Sequence, residues 1–202
     1  MSEPSQTRTT NALSVKSLVT IGVFAAIYFV VLAACTMMSM ISPAFHLVGI
    51  TLSTLVNAFV VMALLARCPA MGTLTILGAV VTGLMTLMGQ FWVSLILGIG
   101  AGLLADITRR LIGPASKIGS AISYGIFQLW LIGPLLPVVL TPEAWFARIT
   151  VRRGADYVAA MEALFTPTNL IIFHVANALL GILFALLAAK SLKRHFQKSS
   201  IL

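Results

Sequence analysis

Stretches of about 20 apolar residues, broken by charge, proline or glycine, recur along nearly the whole chain, and a helix of that length crosses the hydrocarbon core of a bilayer. The breaks predict six helices, roughly 17–40, 44–66, 70–88, 92–112, 118–140 and 167–190. The connections SPAF, RCP and GQ are short, so neighbouring helices form antiparallel hairpins. One connection is long, TPEAWFARITVRRGADYVAAMEALFTP at about 141–166. There Trp145, Phe146, Ile149, Tyr157, Val158, Met161 and Leu164 punctuate charged residues, which predicts an amphipathic segment on the surface or over the bundle mouth. The expected organisation is an all-α membrane bundle: polar residues 1–16, a six-helix transmembrane domain over 17–190, and a basic tail at 191–202.

Composition agrees with lipid as the solvent. Of 202 residues, 59% are hydrophobic and 9% charged, against about a quarter charged in a soluble domain; no stretch remains for a soluble catalytic domain. The formal net charge of +8 raises the question of nucleic acid. The cations stand at the ends of apolar runs, however, with no phosphate-tracking face, so the bilayer is the expected partner and nucleic acid is not. The first run is too long for a signal-peptide core and is expected to stay as the first span. Cys35 and Cys68 fall near opposite ends of adjacent spans, too far apart for a disulfide.

Lysine and arginine are held on the cytoplasmic side during insertion. With the N-terminus inside, one side collects Arg8, Lys16, Arg67, Arg109, Arg110, Lys117, Lys190, Lys193, Arg194 and Lys198, and the other only Arg148, Arg152 and Arg153. Both termini are therefore expected in the cytoplasm and the long connection outside. GIGAGLLADITRRLIG, residues 98–113, then lies at the inner end of the fourth span. Asp106 is positioned to pair along the helix with Arg109 or Arg110, as a topology signal or a contact for a partner subunit. Gly98, Gly100 and Gly102 make no dinucleotide fingerprint; Gly98 and Gly102 are expected to let another helix approach closely.

Polar side chains deep in a bilayer are costly without partners, so they mark candidate sites. On the sixth span these are His174 and Asn177, with Asn169 toward the outer mouth; on the fifth they are Tyr124, Gln128 and Trp130, followed by Pro134 and Pro137. For His174 an interhelical hydrogen bond, ligand contact and a proton relay are all open. Around the first external turn stand Cys35, Met37, Met38, Met40 and His46, groups that suit either packing or a ligand-bearing loop. Trp92, in GQFW, belongs to the same side as an interfacial aromatic. Arg148, Arg152 and Arg153 are either solvated or available to a carboxylate or phosphate. Walker, HExxH, paired-aspartate and Ser-Lys patterns do not occur in the sequence, so no enzymatic activity and no cofactor are expected, and any transport must draw energy from elsewhere.

The six spans, the inside termini, the small-residue first helix TIGVFAAIYF, the GAGLLADI stretch and the tail KSLKRHFQK resemble the substrate-binding S components of energy-coupling factor (ECF) transporters, importers of the ABC class. Size and tail are similar to the Trep_Strep group of hydrophobic proteins. The resemblance implies capture of a small molecule from outside, with a separate transmembrane T subunit and two ATPases supplying the power stroke. It implies docking on the T subunit through Gly22 and Ala26, with Ala25 adjacent. It also implies a site in the outer half built from His174, Asn177, Asn169, Gln128, Trp130 and Trp92, with His46, Met38 and Met40 at the lid. A vitamin-like compound, haem or another metal chelate is the implied class of ligand. A self-sufficient secondary transporter or channel is the alternative, for which Asp106 is the sole candidate carboxylate; a membrane enzyme is the third reading.

Overall fold

The computed structural model describes residues 13–199. The polar residues 1–12 with Arg8, residues 200–202 and the side chains of the basic tail from Lys193 onward lie outside the described residues. Every regular element among the described residues is helical. The long helices are α1 (Val15–Thr36), α2 (Pro43–Arg67), α3 (Thr73–Leu87), α4 (Val93–Ile112), α5 (Lys117–Phe127) and α9 (Pro167–Ser199). A 3₁₀ turn, Met37–Met40, follows α1, and an eight-residue 3₁₀ segment, Gln128–Leu135, continues α5 into the short α6 (Pro137–Leu140). The long connection forms α7 (Pro142–Arg153) and α8 (Ala155–Leu164), so the expected surface segment is two helices, broken at Gly154 with φ +86°, a backbone region that glycine enters without cost.

Four stretches are long and apolar enough to cross a membrane: Val15–Met40, Pro43–Arg67, Lys117–Leu135 and Pro167–Leu192. The short α3 reaches about 22 Å at 1.5 Å per residue, and α4 carries Asp106, Arg109 and Arg110 in its last two turns. Helix starts follow local chemistry. The Ser14 Oγ accepts from the Ser17 amide, Ser42 from Phe45 with Pro43 in the first turn, and Ser116 from Gly119, each satisfying an amide that the helix itself leaves free.

Close approach is set by glycine. A methyl group at Gly78 would collide with the Gly98 carbonyl, one at Gly98 with Thr82, and one at Gly102 with the backbone of Leu74 and Thr75. The expected packing role of Gly98 and Gly102 is thus realised against an antiparallel α3, whereas Gly100 has nothing within 4 Å. Gly49 meets the Cys35 backbone in the same way, seating α2 on α1, and Gly125 meets Ala178 and Ile182 of α9. Cys35 and Cys68 are both free.

The bundle has two unlike ends. At one, Arg109 is buried and donates to the carbonyls of Pro69 (3.0 Å), Leu65 (3.4 Å) and Pro114 (2.8 Å) and to Ser120 Oγ (3.2 Å). Asp106 does not pair with Arg109 or Arg110 as expected. Its carboxylate accepts from the amides of Leu74 (3.2 Å) and Thr75 (2.9 Å) and from the Thr75 hydroxyl (2.7 Å). The N-terminus of α3 offers unpaired amides and a positive dipole end, which hold a carboxylate better than a flexible neighbour on its own helix. At the other end, α7 stands across a groove from the exposed α3–α4 turn, and α8 reaches the α1–α2 turn, where the Tyr157 hydroxyl donates to the Ser39 carbonyl at 2.8 Å.

Candidate ligand-binding site

Beneath α8 the interior turns polar. Thr54 on α2 donates to the Ile50 carbonyl one turn back (3.0 Å) and accepts from Asn177 Nδ2 on α9 (3.0 Å). Its backbone carbonyl takes the Tyr124 hydroxyl of α5 at 2.6 Å, and its Oγ1 stands 3.4 Å from Gln128 Oε1. Gly181 on α9 makes room for the Gln128 side chain, since a methyl there would lie 3.3 Å from Gln128 Cγ. The Tyr28 hydroxyl of α1 stands beside Trp130 and Gln128 without the geometry of a formed bond to either.

The 3₁₀ segment explains how Gln128 and Trp130 both enter the core. With three residues per turn in place of 3.6, the winding changes the direction of successive side chains. Gln128, Trp130 and Leu131 are buried, Trp130 at 0% exposure. Pro134, inside this segment, has no amide to give an α-helical ladder.

Nearer the α8 end, His174 Nδ1 lies 2.7 Å from the Leu170 carbonyl, its ring edge-on to Phe173 at 5.2 Å. A carbonyl only accepts, so Nδ1 carries the proton and Nε2 presents its lone pair. His46, near the start of α2, lies within electrostatic reach of His174 and packs edge-on to Phe165 at 6.2 Å. By helix rise, His174 stands about 10 Å and Asn177 about 15 Å below the start of α9.

Several polar atoms here are buried without a partner: His46 Nδ1, His174 Nε2, Gln128 Nε2, Trp130 Nε1, Asn177 Oδ1 and, on the first turn of α4, Ser94 Oγ. Native interiors leave few such atoms, and this set comes from the facing sides of α2, α4, the 3₁₀ segment and α9.

The model of a family described as a hypothetical bacterial integral membrane protein (Trep_Strep) matches residues 15–198. The chain belongs to the Trep_Strep family. It is an integral membrane protein of bacterial type, in keeping with its four membrane-length apolar stretches. No curated protein and no solved structure matches the chain.

Of the residues expected at the site, the Trep_Strep chain brings together His174, Asn177, Gln128, Trp130 and His46. Others stand apart. Trp92 is 60% exposed and lines an outer groove of about 500 Å³ with Gln90, Phe91, Thr141, Trp145 and Arg148. The guanidinium of Arg148 lies over the Trp145 ring at 5.1 Å. Asn169 is exposed and secures the start of α9, its side chain donating to the Leu164 carbonyl at 3.0 Å. Met38 is half-buried and Met40 exposed in the 3₁₀ turn. On α1, Gly22 and Ala26 face outward, and Ala25 is fully buried in the core.

Sequence reasoning passed over Tyr28, Thr54 and Asn57. Thr54 and Asn57 repeat on the second span the three-residue polar spacing that singles out His174 and Asn177 on the last, and that signal was there to be read. Asn57 donates to Ser53 Oγ (3.1 Å) and the Tyr28 carbonyl (3.3 Å), which fastens α2 to α1.

Proposed function

We propose that this protein is the membrane-embedded binding subunit of an ECF-type importer, taking a small molecule from outside and delivering it through a partner T subunit driven by two separate ATPases. The observation that carries the reading is the convergence of unpartnered buried polar atoms from several helices beneath α8. A bundle that only had to stay folded in lipid would replace them with apolar atoms. In this reading α3 and α4 cross the membrane with the four longer stretches. Both termini are inside, and the Tyr157–Ser39 tie holds α8 as a cover on the outer face.

Two further features support it. The cationic side is the end opposite the polar site, which puts the cover outside under the positive-inside rule. The outer face of α1 around Gly22 and Ala26 is unpacked, with nothing near Gly22 and with Val19, Val23 and Val30 exposed beside it. Small residues on such a face admit a partner helix closely.

Leucine at both Gly22 and Ala26 is expected to abolish copurification with the T subunit and leave ligand binding unchanged. Uptake by cells should stop when the ATPases are inactivated. Uptake that persists without them favours a self-sufficient transporter and overturns the reading.

A further inference from the structure

We infer that a cavity of about 340 Å³ beside Arg109 seats the phosphate headgroup of an anionic phospholipid from the leaflet at the cationic end of the bundle. The site is separate from the polar cluster beneath α8, and the inference does not depend on the binding reading above.

Depth comes first. The cavity is lined where three membrane-length helices end or begin: Leu65 and Ala66 come just before Arg67 at the end of α2, Lys117 opens α5, and Ala189 and Leu192 lie where α9 reaches Lys190 and Lys193 in the sequence. Apolar runs stop where hydrocarbon gives way to headgroups. The cavity therefore lies at the level of the lipid phosphates.

Charge comes second. Two cations line the cavity, Arg109 and Lys117, and no carboxylate does. Arg109 is buried and held by the carbonyls of Leu65, Pro69 and Pro114, neutral acceptors that leave its positive charge in the wall. Asp106 is within electrostatic reach of it, but the carboxylate is bound by the start of α3 and lines a neighbouring cavity of about 190 Å³ with Arg110. Lys117 is exposed, and its four-carbon stem can carry the ammonium to a phosphate oxygen. The fixed guanidinium then supplies field and the lysine supplies the contact. Basic pockets between membrane helices select anionic headgroups in this way.

Apolar surface decides the source of the phosphate. Met62, Leu65 and Ala66 of α2, with Ala189 and Leu192 of α9, give the cavity an apolar wall. A free phosphate ion gains nothing from it. A glycerophospholipid brings its glycerol and first acyl methylenes against that wall, so that apolar burial adds to ionic attraction.

The full-length protein, purified in neutral detergent and delipidated, is titrated with phosphatidylglycerol, phosphatidylcholine and glycerol 3-phosphate, and adducts are counted by native mass spectrometry. Phosphatidylglycerol is expected to bind as a single adduct at least about tenfold more tightly than phosphatidylcholine, and to resist displacement by glycerol 3-phosphate. Lys117→Gln should weaken that adduct about tenfold. Arg110→Gln, which removes a cation at the same end but outside this cavity, should leave it nearly unchanged. Thermal midpoints of the lipid-free proteins control for folding. Equal affinities for the two lipids, equal effects of the two substitutions, or displacement by glycerol 3-phosphate overturns the inference. Loss of a copurifying partner subunit from the Lys117→Gln protein, with the lipid adduct intact, assigns the cavity to a protein contact and overturns it too.

Discussion

Asn177 donates through Nδ2 to Thr54 Oγ1 at 3.0 Å, joining α9 to α2 across 123 positions of the chain. Thr54 passes its own proton to Ile50 and presents its carbonyl to Tyr124 at 2.6 Å. One threonine thus connects α2, α5 and α9 at the floor of the site. Hydrogen bonds between membrane helices contribute modestly, about 0.6 kcal/mol on average and up to about 1.7. A double-mutant cycle of Thr54→Val and Asn177→Leu, read by unfolding in mixed micelles, is expected to give a coupling within that range. Additive effects of the two changes would show that the contact contributes nothing.

The opposite end depends on Arg109. Alanine there strips the hydrogen bonds from the carbonyls of Leu65, Pro69 and Pro114 together, and buried carbonyls without partners cost about 1–3 kcal/mol each. Arg109→Ala should destabilise by about 3 kcal/mol or more. Arg109→Lys should recover only part, since a single ammonium cannot reproduce the fork. The exposed Arg110→Ala should stay within about 0.5 kcal/mol. Thermal midpoints in detergent distinguish the three, and equal effects at positions 109 and 110 would contradict this role.

The glycines of α3 and α4 separate by neighbour. Gly98→Ala forces a methyl into Thr82 and Gly102→Ala forces one into the backbone of Leu74 and Thr75; each is expected to cost about 1–3 kcal/mol as overpacking. Gly100→Ala meets nothing within 4 Å and should be neutral or slightly stabilising, through better helix propensity. Thermal unfolding of the three variants tests the contrast.

Much of the fold was legible because lipid enforces a simple rule: backbone polar groups must be satisfied within the segment, so apolar runs become helices. The sequence-derived starts of the second and fourth helices, at 44 and 92, fall within a residue of Pro43 and Val93. The 3₁₀ winding after Phe127 was not legible, because hydropathy does not distinguish one helical winding from another; only Pro134 hinted at it. The Asp106 partner was misread for a related reason: helical spacing reports neighbours on one helix and is silent about the α3 N-terminus packed beside it. Polar residues inside spans marked His174, Asn177, Gln128 and Trp130, and all four are buried. Trp92 and Asn169, which lie at span ends, turned out to line an outer groove and to secure a helix start.

The cover can be probed through Tyr157. Burial raises the pKa of its hydroxyl, and the neighbouring Arg153 guanidinium pulls the other way. A folded-state pKa raised above the unfolded value gives stability that is fully present below the unfolded pKa, about 10, and is lost as pH rises through the folded pKa. Hydrogen exchange in α8 should therefore accelerate as pH climbs beyond about 10, after correction for intrinsic rates. Below about pH 10 Tyr157→Phe should exchange faster than the wild type, by about 1 kcal/mol of lost protection, and it should lack that alkaline step. An alkaline step that survives in the phenylalanine variant would assign it to another group.

Native mass spectrometry of the detergent-purified protein tests the central claim most directly, by comparing the wild type with Trp130→Leu and His174→Leu. The account predicts one small molecule bound per wild-type chain and its loss from both variants, with the fold retained. Equal occupancy in all three proteins, or no bound mass in the wild type, would contradict it.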